Sequence, residues 1–215
     1  MPVLYEARFD GSEAIRHYHV SIIRFYLDQA YEYSAQAKRD DEEGVLLASS
    51  VIGLMFSVMA LEAFINEVAE DVFHEKELVD FTRLRRGYRC LAGESTVMAK
   101  LRILFDRRHG VAVNEELMTS IGYAISLRNN LTHYKLSELS GKHVLPPPGK
   151  VDGSDGEFMH VVDLTVEPET VIPPFIEKVT GGAAADAFNA VLNVIKEWGK
   201  LQGVIDSVPG LDRID

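Results

Sequence analysis

Cysteine is almost missing from this chain: Cys90 is the only one in 215 residues. One thiol excludes an internal disulfide framework and fits a reducing compartment, so a cytoplasmic protein is expected. Glycine-rich phosphate loops are missing too. Neither GxGxxG nor a Walker pattern occurs, and no GxSxG elbow is present. Zinc-ligand spacing is absent, and "FHEKE" around His74 is one histidine short of HExxH. "HYH" holds His17 and His19 two residues apart in a stretch of helical periodicity. On a helix such residues point to nearly opposite sides, which excludes chelation of one ion. No metal and no cofactor are therefore expected. The opening "MPVLYEARFD" lacks a basic segment followed by an apolar core, so no signal peptide is expected.

Positive charge is scarce, with 22 Lys and Arg against 33 Asp and Glu and a net charge of −11. Taken over the whole chain, that opposes binding to a phosphate polymer. The deficit is uneven. Residues 81–135 carry ten Lys and Arg against four acids. Arg83, Arg85, Arg86, Arg107, Arg108 and Lys135 stand out there as a candidate basic face.

The apolar run Gly44–Phe64 is about as long as a membrane span. Ser49, Ser50, Ser57 and Glu62 interrupt it, and no basic cluster anchors either end. It reads as a central helix buried on most sides, with no membrane involved.

The rest of the chain is mostly helical by period. Val3 to Phe9 is a short run that suits extended backbone. Asp10 with Glu13 reads as a capping box that opens a helix to about Ala37. Its apolar positions Ile15, Tyr18, Ile22, Tyr26, Ala30, Tyr33 and Ala37 recur at three and four. Further helices are expected over about Glu42–Glu75 with a bend at Gly53, over "ELVDFTRLRRGYR" to near Gly87, over Thr96–Asp106, from the N-cap Asn114 to about His133, and over Ala183–Val204. "DRRHGVAVN" reads as a loop. Most of the prolines and the turn string "DGSDG" fall within an arm at about 137–180. There "EFMHVVDLTVE" alternates as a strand, with "KHVLP" its hairpin partner. The expected architecture is an all-α bundle of five to six helices in one domain, with a small β-hairpin or extended arm inserted before the last helix.

One constellation carries chemistry. "SLRNNLTHYK" gathers Arg128, Asn129, Asn130 and His133 at a helix end with no acid among them. Asn129 and His133 are four apart and share a face. Arginine is a permanent fork for phosphate, and histidine exchanges protons near neutral pH. One Arg and one His are few for phosphodiester cleavage, which needs a base, an acid and charge stabilisation. A two-fold homodimer doubles the set. The plainer reading gives Arg128 an acidic partner and makes His133 a helix cap. On the central helix Glu62 and Asn66 lie four apart among Leu61, Phe64, Ile65 and Val68. Such polar groups need partners, and Arg128 or Asn129 are natural ones.

"SVMALEAFINEV" on one helix and "LRNNLTHY" on a later one together resemble the HEPN superfamily of α-helical domains. The family pattern is Arg, four to six residues, then His, often with Asn directly after the Arg. Arg128, Asn129 and His133 match it, over a resemblance reaching from about Ile15 to Tyr134. The resemblance implies a homodimeric bundle with Arg and His at a cleft across the interface. Active members are metal-independent endoribonucleases that use the RNA 2′-OH, often in stress or defence, and a protein partner such as an antitoxin is implied. Carried over, His133 is general base or acid, Arg128 steadies the phosphorane charge, and Asn129 orients either. Glu62, Asn66 and Asn130 form the supporting cluster, and the basic residues of 81–135 are candidate RNA contacts. Other members are non-catalytic interaction modules, so both functions stay open at this stage.

Overall fold

From Ala48 onward the long apolar run folds as one helix. In a computed structural model that helix, α2 (Ala48–Val72), lies at the centre, with α1 (Ile23–Arg39), α4 (Thr96–His109), α5 (Glu115–Thr132) and α6 (Gly181–Leu201) packed around it and the short α3 (Glu75–Thr82) following its end. The structure describes residues 21–41, 48–133 and 177–215 in full. It describes backbone alone for Ile176 and for the strands β1 (Val3–Asp10), β2 (Glu13–Val20), β3 (His143–Val144), β4 (Gly149–Asp152), β5 (Phe158–Val161) and β6 (Glu169–Thr170). The described part is a helical bundle of six α-helices, as the periodicity requires. The 18-residue apolar window of α2 is long enough for a membrane, yet half of it is buried inside the bundle.

Small residues set the crossings. α2 runs unbroken through Gly53; α1 packs against it there, and a Cβ on Gly53 would overlap the Ser34 hydroxyl and come within 2.9 Å of the Ser34 nitrogen. Ser57 Oγ donates to Gly53 O at 2.7 Å, and Ser34 Oγ donates to Ala184 O at 3.2 Å. These buried hydroxyls are satisfied by backbone carbonyls, so they add no unmet polar cost. The expected face of the last helix holds: Phe188, Val191, Leu192, Ile195 and Trp198 are all buried. Trp198 joins three helices, with Phe64 of α2 at 5.9 Å and Phe105 of α4 at 5.1 Å between ring centroids, both edge-on.

The first turn of α6 is clamped onto the end of α1. Asp41 accepts hydrogen bonds from Gly181 N at 2.9 Å and Gly182 N at 3.2 Å, and Thr180 Oγ1 accepts from Ala183 N at 3.1 Å. A Cβ on Gly181 would run into the Ala37 carbonyl and stand 2.8 Å from Lys38 N, whereas the nearest atom to one on Gly182 is 3.6 Å away. Gly181→Ala is therefore expected to lower unfolding free energy by about 1–3 kcal/mol, the cost of overpacking a rigid site. Gly182→Ala is expected to be neutral or stabilising by up to about 1 kcal/mol. Paired urea melts check the contrast.

Several expected boundaries move. The helix read from Asp10 begins instead at Ile23, and Glu13–Val20 is a strand paired antiparallel with Val3–Asp10. Asp10 and Glu13 are register partners in that ladder, and the following helix begins only at Ile23. The spacing of Ile15, Tyr18 and Ile22 suits a helix, but Val3, Tyr5, Ala7 and Phe9 also alternate at period two, and a Gly-Ser pair alone separates the two runs. α3 stops at Thr82, well short of Gly87, because Leu84 and Arg86 adopt left-handed backbone with φ of 47° and 51°. α4 runs past Asp106 to His109 and closes on Gly110 at φ 66°, a left-handed glycine cap, so "DRRH" is helix and not loop. The expected start of α2 at Glu42 lies outside the described residues. In the arm, Phe158–Val161 pairs with Gly149–Asp152, while His143–Val144 pairs with Glu169–Thr170; "KHVLP" is not the partner of "EFMHV".

Candidate functional site at the crossing of α2 and α5

Asn114 caps α5 by accepting from Leu117 N at 3.1 Å, and Glu115 and Glu116 occupy the first turn. The helix then runs against the core through Ile121, Ala124, Ile125 and Leu127, all buried. That register leaves Arg128 half-buried on its last turn. Glu62, in the middle of α2, meets it there: Glu62 Oε1 accepts a hydrogen bond from Arg128 Nη2. Arg128 is 20% exposed and Glu62 40%, so the pair sits at the rim of the core and water screens part of its attraction. The two stretches singled out in the sequence are thus joined by an ion pair within one protomer.

His133 is the residue at which α5 ends. Its N–H donates to Asn129 O at 2.9 Å and its side chain is exposed. Thr132 Oγ1 donates to Arg128 O at 3.1 Å, which tightens this last turn. Asn129 is half-buried, while Asn130 and Asn66 are exposed. No hydrogen bond from the side chains of Asn66, Asn129, Asn130 or His133 is found among the described residues. Asn66 does not share the Glu62–Arg128 contact. Its neighbour Glu67 is the engaged residue, accepting from Ser21 Oγ and Ile22 N at 3.2 Å each. An open groove of about 990 Å³ lies between α5 and α6, lined by Asn114, Tyr123, Asp186, Asn193, Lys196 and Lys200 among others; neither Arg128 nor His133 lines it.

The basic residues fall into two groups. Arg83, Arg85 and Arg86 are exposed on the connection after α3, and Arg107 and Arg108 on the last turn of α4. Arg86 lies 3.5 Å from Asp80 and Arg107 3.2 Å from Glu77, so two of the five are paired with acids. Arg83, Arg85 and Arg108 have no acidic partner among the described residues. A clamp fixes the connection: Glu94 accepts from Arg102 Nε and Nη2 at 2.9 and 2.8 Å and from Leu91 N at 2.8 Å, while Arg102 Nη2 also donates to Arg89 O at 3.0 Å. The Arg102 hydrogen bond holds the Glu94 carboxyl below its ordinary range. Among the described residues no ion pair or hydrogen bond ties this basic connection to Glu62 or Arg128. Lys135 lies outside the described residues.

Reading the sequence missed His109, which it left in a loop. The imidazole lies edge-on to Trp198 with centroids 4.5 Å apart, and its Nε2 is buried with no hydrogen-bond partner. Burial, then the neighbouring Arg108 charge, push its pKa below the ordinary histidine value. The unfolded chain therefore takes up a proton near pH 6.5 that the folded chain refuses. The stability that neutral His109 contributes is complete above that pH and is lost as pH falls through it. Unfolding free energy is expected to drop between pH 7 and pH 5.5 in wild type and to drop less in His109→Phe. Urea melts at stepped pH measure both slopes.

Among the described residues no group of three or more His, Cys, Asp or Glu is arranged to hold a metal ion. Comparison with family models, curated proteins and solved structures returns no match.

Proposed function

We propose that the chain is a HEPN-like, metal-independent endoribonuclease of the cytoplasm, acting as a homodimer in stress or defence. The observation that carries this reading is the Glu62–Arg128 pair, which couples the two halves of the resemblance across α2 and α5 and leaves His133 free at the helix end. In a two-fold dimer, two copies of Arg128 and His133 would flank one phosphodiester. One His133 takes the proton of the ribose 2′-OH. The 2′-oxygen bonds to phosphorus, the bond to the 5′-oxygen breaks, and the partner's His133 gives that oxygen a proton. Arg128, held by Glu62, meets the charge that grows on the phosphoryl oxygens. Asn129 orients either group. Arg83, Arg85 and Arg108 supply free guanidinium groups for the RNA backbone. The test is incubation with varied RNAs in EDTA. Cleavage that leaves cyclic-phosphate and 5′-hydroxyl ends supports the reading; intact RNA throughout ends it.

The ion pair also favours a second reading. An arginine already neutralised by a carboxylate suits an interhelix tie in a non-catalytic dimerisation module that binds a protein partner such as an antitoxin. In that case His133→Ala weakens melting temperature or self-association and no cleavage is ever seen.

A further inference from the structure

The groove between α5 and α6 has no part in the proposed reaction. Along its α6 wall three polar side chains recur seven residues apart: Asp186, Asn193 and Lys200. Seven residues are nearly two full turns, so the three stand close to one line about 21 Å long. Asp186 and Lys200 are exposed at the two ends of that line, and Asn193 is half-buried at its centre. None of these three side chains makes a hydrogen bond or ion pair among the described residues. Lys196 differs, for its Nζ donates to Leu211 O at 2.8 Å. On the α5 wall Tyr123 is 50% exposed and also lacks a partner among the described residues. Ala187 and Ala190, between the polar positions, add little bulk to the α6 wall. Glu116, Asp186 and Glu197 balance Lys196, Lys200 and Arg213 around the groove, so no net positive charge draws a phosphate polymer into it.

We propose that this face joins two copies of the chain, with α6 antiparallel to the partner's α6 and the two-fold axis at Asn193. A two-fold contact requires a patch that is complementary to itself. The line on α6 meets that condition. Reversed about Asn193, it sets Asp186 against the partner's Lys200 and Lys200 against the partner's Asp186. The two Asn193 amides meet on the axis, where each can donate and accept. A parallel copy would oppose like charges at both ends, so the charges select the antiparallel arrangement. Exposed ion pairs are weak, and they fix direction and register more than affinity. The apolar contribution comes from covering the two Tyr123 rings, a residue type enriched where protein surfaces meet. Neither Arg128 nor His133 borders the groove. The contact is therefore separate from the one that would assemble a composite nuclease, and a chain that uses both faces closes as a tetramer.

The experiment uses the full chain carrying Cys90→Ser, so that an introduced cysteine is its only thiol. Asn193→Cys in that background is oxidised with diamide at micromolar protein concentration and run on a non-reducing gel. A disulfide-linked dimer is expected, at a yield several-fold above that from Glu70→Cys, an exposed position on α2. Adding Asp186→Lys or Lys200→Asp opposes like charges and should cut the dimer yield by at least about tenfold. The two reversals together restore both pairs and should recover it. No more dimer from Asn193→Cys than from Glu70→Cys overturns the interface. A yield that neither single reversal changes, or that the double reversal does not recover, overturns the antiparallel register. Far-ultraviolet dichroism of every variant confirms that the helical bundle is intact. RNA cleavage is no part of the readout, so this contact and the nuclease reading fail separately.

Discussion

Trp198→Ala is expected to lower unfolding free energy by about 3–5 kcal/mol, the usual cost of emptying a large aromatic site in a core. The side chain is 3% exposed and touches α2 through Phe64, α4 through Phe105 and the end of α4 through His109. Removing it leaves Phe64 and Phe105 facing a void. The melting temperature should fall on the order of 10 °C for a chain of this size. Trp198→Phe keeps an aromatic ring there and should lose less than half as much. A loss under about 1 kcal/mol in Trp198→Ala would show that the three helices do not depend on this contact. Calorimetry or urea denaturation decides it.

Arg128→Ala is expected to lower RNA cleavage by about 10²–10³-fold, the range found when one preorganised donor to a developing oxyanion is removed. Glu62 holds the guanidinium through Nη2, and in the proposed reaction the other donors would meet the phosphate. Arg128→Lys keeps the charge but loses the fork, so it should recover only a small part of the activity. Glu62→Gln should lower activity less than Arg128→Ala, since it frees the arginine without removing it. Stability should change little in Arg128→Lys, because a half-exposed ion pair contributes only about 0–1 kcal/mol. Equal cleavage by wild type and Arg128→Ala would remove this residue from the reaction.

Much of this was legible residue by residue. The apolar run Gly44–Phe64 marked a central helix, and Asn114 with its two glutamates marked the start of α5. The need of Glu62 for a partner pointed to Arg128 or Asn129, because a carboxylate among Leu61, Phe64 and Ile65 is hard to leave alone, and Arg128 is the one that meets it. Asn66 did not follow the same logic, since one turn along α2 its side chain reaches solvent. The N-terminal hairpin was hidden because Ile15, Tyr18 and Ile22 recur at helical spacing, although Val3, Tyr5, Ala7 and Phe9 alternate at period two; the Gly-Ser pair was the deciding local signal. His109 escaped because a half-buried histidine next to two arginines looks like a solvated loop in sequence. Its place against Trp198 depends on how α4 and α6 cross, which no local pattern contains. The left-handed turn at Leu84 and Arg86 is likewise invisible, since neither residue favours that backbone.

The most direct measurement compares wild type and His133→Ala for cleavage of varied RNAs in EDTA, with melting temperature and oligomeric state recorded on the same samples. Wild type is expected to cut and His133→Ala to cut at least about 10²-fold more slowly, the contribution of a positioned proton-transfer group. Both proteins should melt alike, because His133 is exposed and its side chain makes no hydrogen bond among the described residues. Equal cleavage by both proteins, or no cleavage by wild type, contradicts the account. A lowered melting temperature or a lost dimer in His133→Ala, with RNA intact throughout, would instead identify the motif on α5 as a structural tie.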